Sequence, residues 1–337
     1  MTKTLWGIHA GSEGSADPIF REGGYLALGW SELGDLSLIE GTRPAFQTAL
    51  IAAYPDAAAG AIPVWAGMLF RFLHELKEGD LVAYPSKVDR QIHFFRVKGT
   101  PYQYNPALSP DYPNLRAADL LKSVPRGEFT QGALNEIGAA ISFFRIKNNA
   151  EEFIAKLEGT PIPAKPAGEE PEVKAAITAP DEALQDFVIN RLAKHLKGHP
   201  LAHFVGHLLN LMGYRTQVSP PGKDGGVDIL VHGDALGMTG AVMKVQVKST
   251  ESQIGDPDVR DLAGLLLEGE RGLFVTLGTY NLDAKKTARG PKRIRLIDGP
   301  ELVELICEHY EQLDHRYRSM LPLRRAWMPD TSFTAGE

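Results

Sequence analysis

The chain has 337 residues, a formal net charge of −6 and one cysteine, Cys307. This length predicts about two or three domains with adequate cores, and the single thiol excludes both an intramolecular disulfide and a cysteine-rich zinc site. We expect a cytoplasmic protein, because no apolar run reaches membrane-spanning length and residues 1–5 lack the apolar core of a signal peptide. The net negative charge excludes a uniformly basic DNA-coating module, so affinity for phosphates must come from local patches.

Residues 1–158 combine short strands with helical segments, which is typical of a mixed α+β domain. Three of the four tryptophans and 19 of the 28 aromatic residues lie in this part, so most of them must form its core. Strands are predicted at Tyr25–Trp30, Asp80–Pro85 and Gln91–Lys98, and helices near residues 43–53, 65–77 and 148–158.

Residues 159–180 contain five prolines and almost nothing able to build a core, which predicts a spacer between two domains. After it, Asp181 is predicted to cap a helix that ends at Leu196, and Pro200 to open the next helix. The pattern that follows is strand, hairpin, helix, strand, helix, strand and helix. It predicts a mixed sheet flanked by helices over residues 181–315, and residues 316–337 read as a basic C-terminal extension.

Two strands of the second domain carry polar residues that alternate with aliphatic ones. Val227, Ile229 and Val231 alternate with Asp228 and His232, and the segment Ala241–Lys248 alternates in the same way. A turn-rich connection from Gly233 to Gly240 predicts that the strands are antiparallel neighbours. The two strands therefore bring together one carboxylate, one amide and one ammonium, from Asp228, Gln246 and Lys248.

These groups suit a site for a hard cation. The carboxylate of Asp228, the side-chain carbonyl of Gln246 and the backbone carbonyl of Val247 are oxygen ligands of the kind that Mg²⁺ prefers beside a phosphate. Such a cation polarises a phosphoryl oxygen and readies a bound water, while Lys248 orients that water or neutralises the phosphate. The alternative is a pair of ordinary half-buried strands with charges that face solvent.

A basic run follows later in the chain. Six cationic residues fall between positions 285 and 295, and they form either a phosphate track or a solvated charged face. Beside a phosphate-cleaving site, the track is the favoured interpretation. The residues predicted to bind DNA are Lys285, Lys286, Arg289, Lys292 and Arg293.

Three blocks of the second domain resemble the catalytic domain of Mrr-like restriction endonucleases, a branch of the PD-(D/E)XK superfamily. They are Phe204–Tyr214, then Asp224–Asp228 with Val245–Lys248, then Gly272–Thr276 with Arg295–Leu302. The resemblance implies a restriction-endonuclease-like fold and catalytic roles for Asp228, Gln246 and Lys248. One feature departs from the family, because Ala202 and His203 stand where many Mrr-like chains carry a glutamate on the first core helix.

Segments of the first domain resemble the EVE/PUA-like barrels that precede nuclease domains in modification-dependent restriction enzymes. They are Leu28–Leu36, Glu78–Tyr84 and Arg96–Tyr102. The resemblance implies a small barrel with an aromatic pocket that accepts a flipped, modified base, with Trp30 and Tyr84 as base-reading residues. An ordinary barrel core used for protein contacts is the alternative.

The sequence thus favours a two-domain α+β protein, with a reader at residues 1–158, a linker at 159–180 and a nuclease at 181–315. We expect a Mg²⁺-dependent, modification-dependent endonuclease of restriction type. Its partner is double-stranded DNA carrying modified bases, and a homodimer or larger assembly is expected on DNA, since one chain carries one site. Two alternatives stay open: an Mrr-like nuclease with no modification requirement, and a catalytically weak nucleic-acid-binding regulator.

Overall fold

The computed structural model describes most of the chain outside the proline-rich spacer and the C-terminus. Parts of the predicted linker, of the glycine turn before Asp228, of the turn before Ala241 and of the C-terminal extension lie outside the described residues. The described residues are 4–11, 14–58, 60–139, 141–161, 180–220, 222, 226–234, 236 and 241–325.

The chain forms two compact units. The first unit comprises Met1–Asp186 with Glu251–Gln253, and the second comprises Phe187–Thr250 with Ile254–Glu337. Within the described residues, no helix has both the length and the apolar character needed to cross a bilayer.

The first unit alternates helices with the strands of a mixed sheet. Arg43–Ala53 is helical as predicted, and the helix predicted near residues 65–77 begins earlier and ends in a π-helical turn at Arg71–Glu75. The elements are β1 (Leu5–Ile8), α1 (Asp17–Arg21), β2 (Tyr25–Leu28), α2 (Arg43–Ala53), α3 (Ala61–Phe70), β3 (Leu81–Pro85), β4 (Gln91–Val97), β5 (Gln103–Tyr104), β6 (Asn114–Pro125), α4 (Gln131–Ile137), β7 (Phe143–Arg145) and α5 (Ala150–Glu158).

The sheet of the first unit has the order β2-β6-β4-β3-β1-β7, with β5 on β6. The long strand β6 pairs with β2 through Asn114–Ala117 and with β4 through Ala118–Pro125, so the sheet curls along this strand. A bulge between Phe94 and Phe95 adds local twist. These features make a half-barrel, which confirms the predicted α+β class but with an open sheet where a small barrel was expected. The likeness to EVE/PUA-like domains stays a prediction.

Neighbouring side chains of β4 serve two cores on opposite sides of this sheet. Phe95 packs with Leu26, Val82 and Tyr84 beneath the helices α2 and α3. Phe94 packs on the other side with residues of α4 and α5. This alternation is the period-two pattern of a β-strand, and a strand was predicted here at Gln91–Lys98.

The second unit is a mixed sheet flanked by helices, as predicted. Its sheet has the order β12-β11-β10-β9-β8, where β10, β11 and β12 are parallel and β9 is antiparallel to β10 and to β8. The elements are α6 (Pro180–His195, which begins in the first unit), α7 (His199–Leu211), β8 (Arg215–Val218), β9 (Ile229–His232), β10 (Ala241–Lys248), α8 (Asp256–Leu265), β11 (Arg271–Thr276), α9 (Leu282–Ala288), β12 (Ile294–Ile297), α10 (Gly299–His309) and α11 (His315–Met320).

Buried aliphatic and aromatic residues fix the hairpin that carries the polar patch. Ile229, Val231 and Val245 are fully buried, and the apolar face of α7, including Phe204 and Leu208, is buried as well. Because a one-residue slip would turn these side chains to the other face, burial also fixes which side the polar residues occupy.

Candidate functional site

Asp228 lies directly before β9, and its backbone continues the pairing of the two strands. Its N–H donates to the carbonyl of Val245 at 2.9 Å. Its side-chain Oδ2 accepts a hydrogen bond from the N–H of Val247 at 2.6 Å. The carboxylate is therefore held against the backbone of β10, between the positions of Gln246 and Lys248.

Gln246 supplies a buried oxygen that none of the described residues satisfies. Its side-chain Oε1 is buried and has no hydrogen-bond partner among the described residues. Burying such an acceptor unpaired costs about 1–3 kcal/mol, so it calls for an explanation. A cation that takes oxygen ligands provides one, and the donor set of Asp228, Gln246 and the carbonyl of Val247 has the right chemistry for it.

Lys248 ends β10 and makes an ion pair within the second unit. Its Nζ donates to Oδ1 of Asp258 in the first turn of α8. The two side chains are 36% and 34% exposed, so the pair is screened by solvent and stabilises the fold only weakly. Its consequence is positional, since it holds the ammonium at one end of the polar patch. The sequence analysis missed Asp258, because nothing in the strand pattern points to a residue ten positions later.

The structure thus brings Asp228, Gln246, Val247 and Lys248 together. In the part of the chain that is described, no group of three or more His, Cys, Asp or Glu side chains is placed to hold a metal ion. A cation here would depend on one carboxylate together with amide and backbone oxygens. Ala202, which the resemblance to Mrr-like chains sets near the position of a glutamate, is 1% exposed on α7 and offers no ligand.

The cationic residues between positions 285 and 295 fall into two groups, those that make an ion pair or a side-chain hydrogen bond and those that do not. Lys286 pairs with Asp283 at 2.9 Å, and Nζ of Lys292 donates to the carbonyl of Leu266 at 2.8 Å. Lys285 and Arg289 are exposed on α9 and at its end, and among the described residues neither makes an ion pair. Arg293 is exposed as well and makes no ion pair among those residues, so Lys285, Arg289 and Arg293 are the cations best able to meet a phosphate.

A hydrogen bond joins α9, which carries Lys285, to α8, whose Asp258 pairs with Lys248. Thr287 of α9 hydrogen-bonds Asp256 at the start of α8, two residues before Asp258. The exposed cations, the first turn of α8 and the end of β10 therefore belong to one continuous part of the second unit.

A separate pocket of about 290 Å³ lies in the first unit. Its walls include the rings of Trp30, Tyr54, Trp65 and Tyr112. The rings of Trp30 and Trp65 meet at 67° with centroids 5.9 Å apart, and Tyr54 meets Trp65 at 78° and 5.8 Å. The three rings thus pack edge to face and form an aromatic wall, which suits a planar apolar ligand.

Trp30 is held in this wall by a strained backbone. Its φ of 59° and ψ of 44° lie in the left-handed region, which costs a non-glycine residue roughly 1–2 kcal/mol. This turn also ends β2 at Leu28, two residues before the predicted end. A strained residue of this size persists only where the surroundings fix it, and such residues concentrate at binding sites.

Tyr84, the second predicted base-reading residue, lies elsewhere. It is 1% exposed, packs against Phe20 and donates its hydroxyl hydrogen to Oδ1 of Asp17 at 2.8 Å. The pocket walls do not include it. The sequence analysis missed Tyr54 and Tyr112 as wall residues, because single aromatics at helix ends and in loops carry no periodic signal.

Comparison with known proteins finds that part of the second unit is similar to restriction enzymes. Residues 193–306 match the family model described as a restriction endonuclease, Mrr_cat, which confirms the predicted resemblance for that part of the chain. A type IV methyl-directed restriction enzyme of Escherichia coli (strain K12), EcoKMrr, is 30% identical over 107 residues. That match covers 31% of this chain and 34% of the relative, so it spans about a third of the relative's length.

Two solved structures show a weak likeness. The MspJI restriction endonuclease in complex with a 27-mer oligonucleotide has a TM-score of 0.33 at 15% identity, over 75% of this chain and 67% of that one. The DNA modification-dependent restriction endonuclease AspBHI has a TM-score of 0.34 at 17% identity, over 72% and 68%.

Proposed function

We propose that the second unit is a Mg²⁺-dependent DNA endonuclease that hydrolyses phosphodiester bonds. The observation that carries the proposal is that Oε1 of Gln246 is buried without a partner among the described residues, on the strand whose Val247 N–H holds the Asp228 carboxylate in place. The restriction-endonuclease match over residues 193–306 supports the same reaction class. Asp228, Gln246 and the carbonyl of Val247 would hold the cation, and Lys248 would meet the phosphate.

Each residue has a distinct task in this proposal. When bound, Mg²⁺ would supply a Lewis acid that stabilises charge developing on the phosphoryl oxygen. Asp228 keeps its carboxylate oriented, because its Oδ2 accepts the Val247 N–H. Lys248 places a positive charge beside the reacting phosphate and orients the attacking water. Lys285 and Arg289 neutralise neighbouring phosphates and fix the register of the strand.

The test is a cleavage and binding assay on the full chain. Wild-type protein with Mg²⁺ should nick or linearise plasmid DNA and should lose this activity in EDTA. Lys248→Ala should lose about 100-fold or more in the cleavage rate while its Kd for DNA stays nearly unchanged. The control is Lys98→Ala, which removes a lysine paired with Asp119 on the surface of the first unit. Cleavage in EDTA, or full activity of Lys248→Ala, contradicts the proposal.

We infer further that the first unit makes cleavage depend on a modified base. The supporting observation is the aromatic pocket around Trp30 and Trp65, since a base removed from the duplex regains stacking between aromatic faces. The similarity to a restriction enzyme named as methyl-directed also supports a dependence on modified bases. A homodimer on DNA completes this proposal, because breaking both strands takes two hydrolytic sites.

Plasmids from methylating and non-methylating hosts discriminate the alternatives. Cleavage restricted to modified plasmid supports the reader. Equal cleavage of both plasmids supports an Mrr-like nuclease without a modification requirement. Binding of DNA without cleavage in Mg²⁺ or Mn²⁺ supports the catalytically weak regulator.

A further inference from the structure

The aromatic pocket of the first unit contains one polar ring whose role the stacking walls do not explain. His9 lines the pocket directly after β1. Its backbone N–H donates to the carbonyl of Ser142 at 2.9 Å. Its ring Nε2 lies 2.8 Å from the carbonyl oxygen of Ile137.

This contact determines which nitrogen of His9 carries the proton. A carbonyl oxygen only accepts hydrogen bonds, so Nε2 must be the protonated donor toward Ile137. In the neutral ring, Nδ1 then has a lone pair and accepts. Among the described residues, Nδ1 of His9 has no hydrogen-bond partner, so this residue of the pocket wall has an unused acceptor.

The ring is kept neutral at physiological pH. Burial lowers the pKa of His9 below its ordinary value, although the Ile137 carbonyl and the charge of Glu182 act in the opposite direction. None of the described residues that line the pocket is an acid, a lysine or an arginine. The pocket therefore suits an uncharged ligand, and its volume of about 290 Å³ is near the lower end of the range for ligand pockets, roughly 300–1,000 Å³. A single extruded base meets both conditions.

We propose that His9 is a specificity-determining residue, whose Nδ1 accepts a hydrogen bond from the exocyclic amino group of a base extruded into the pocket. The pocket would then select amino-bearing bases, which are cytosine, adenine and their modified forms, over thymine. This inference rests on the proposed base-reading function of the first unit. Thymine presents a carbonyl oxygen where 5-methylcytosine presents an amino group, so it would leave two acceptors facing each other.

The test compares matched bases in the full-length Lys248→Ala protein, where DNA cannot be consumed. One pair of duplexes carries 5-methylcytosine or thymine opposite the same guanine, and a second pair carries N6-methyladenine or purine opposite thymine. A thymine–guanine mismatch is easier to open than a matched pair. Preference for 5-methylcytosine would therefore come from the pocket and not from the cost of extrusion.

We expect at least one amino-bearing base to bind about tenfold more tightly than its partner. Two substitutions of His9 separate recognition from folding. In His9→Gln the amide nitrogen reaches the position of Nε2 and donates to Ile137 in its place, while no acceptor remains at the position of Nδ1. In His9→Asn the amide oxygen occupies the position of Nδ1, so the acceptor is retained and the Ile137 contact is lost.

His9→Gln should abolish the preference with little change in thermal stability, whereas His9→Asn should keep part of it despite lower stability. If His9 served folding alone, His9→Gln would keep the preference and His9→Asn would lose it. Two results overturn the inference. One is that the Lys248→Ala protein with His9 intact binds both duplexes of each pair equally well, and the other is that His9→Gln leaves the preference for the amino-bearing base unchanged.

Trp65→Ala distinguishes failure of this inference from failure of the base-reading function. If Trp65→Ala weakens both members of a pair equally and His9→Gln changes nothing, the pocket binds bases without reading the amino group, and only the role of His9 falls. If Trp65→Ala changes no affinity, the pocket does not bind bases at all and both fall. Displacement of DNA by choline would identify a cation cage and would also overturn the inference.

Discussion

The Asp228 carboxylate accepts a hydrogen bond from the backbone N–H of Val247 at 2.6 Å, across the hairpin of the second unit. This contact fixes the orientation of the one acidic side chain in the proposed cation site. We expect Asp228→Asn to weaken Mn²⁺ binding about 10- to 100-fold, because the amide is a neutral ligand and its NH₂ group opposes the Val247 N–H. Calorimetric titration with Mn²⁺ measures this directly. Unchanged Mn²⁺ affinity in Asp228→Asn would place the cation elsewhere.

Gln246 offers a test in which stability and activity move in opposite directions. Gln246→Leu removes the unsatisfied Oε1, and we expect it to raise the free energy of unfolding by about 1 kcal/mol while cleavage is lost. Urea unfolding and plasmid cleavage measure the two effects. A destabilised Gln246→Leu protein would show that the oxygen has a partner in the free protein, and an active one would remove Gln246 from the site.

Asp258 is expected to position Lys248. Asp258→Asn removes the charge that holds the ammonium, so single-turnover cleavage should slow about tenfold, while the half-exposed pair should change stability by less than about 1 kcal/mol. The Kd for DNA should stay the same in Asp258→Asn, because the residue is expected to position Lys248 for the reaction and not to bind DNA. Asp119→Asn, which breaks an exposed pair with Lys98, is the control. A faster Asp258→Asn protein would mean that the pair restrains Lys248.

The exposed cations of α9 should govern the electrostatic part of DNA binding. The double variant Lys285→Ala, Arg289→Ala should weaken binding to all sequences and reduce the slope of log K against log salt by about 2. Lys292→Ala should have a smaller effect on the slope, because its ammonium already bonds the Leu266 carbonyl. Fluorescence anisotropy over a series of salt concentrations measures both slopes. Equal slopes in wild-type and double-variant protein would make α9 a solvated face.

The strained backbone of Trp30 predicts an unusual order of stabilities. Glycine adopts a φ of 59° without penalty, so Trp30→Gly should be more stable than Trp30→Ala by roughly 1 kcal/mol. Both variants should lose the preference for modified DNA, since both remove the ring. Thermal unfolding compares the two proteins. If Trp30→Ala is the more stable, the left-handed turn is not maintained in solution.

The period-two alternation of apolar residues was enough to predict the hairpin and the side on which Asp228, Gln246 and Lys248 lie. It did not predict the Lys248–Asp258 pair, because a contact between a strand and the first turn of a later helix depends on the tertiary arrangement. Composition alone could not separate the buried Tyr84 from the wall residue Trp30, since both are aromatic residues near strand ends. Their different environments arise from the curl of the sheet and from the turn at Trp30.

We propose that the second unit cleaves DNA with a cation held by Asp228 and Gln246, and that Lys248 serves the reaction and not the docking. The most direct test is single-turnover cleavage of modified plasmid by wild-type and Lys248→Ala protein, each with Mg²⁺ and with EDTA, beside their affinities for the same DNA. The account predicts cleavage only by wild-type protein with Mg²⁺ and nearly equal affinities for both proteins. Cleavage by Lys248→Ala at the wild-type rate, or wild-type cleavage in EDTA, would contradict it.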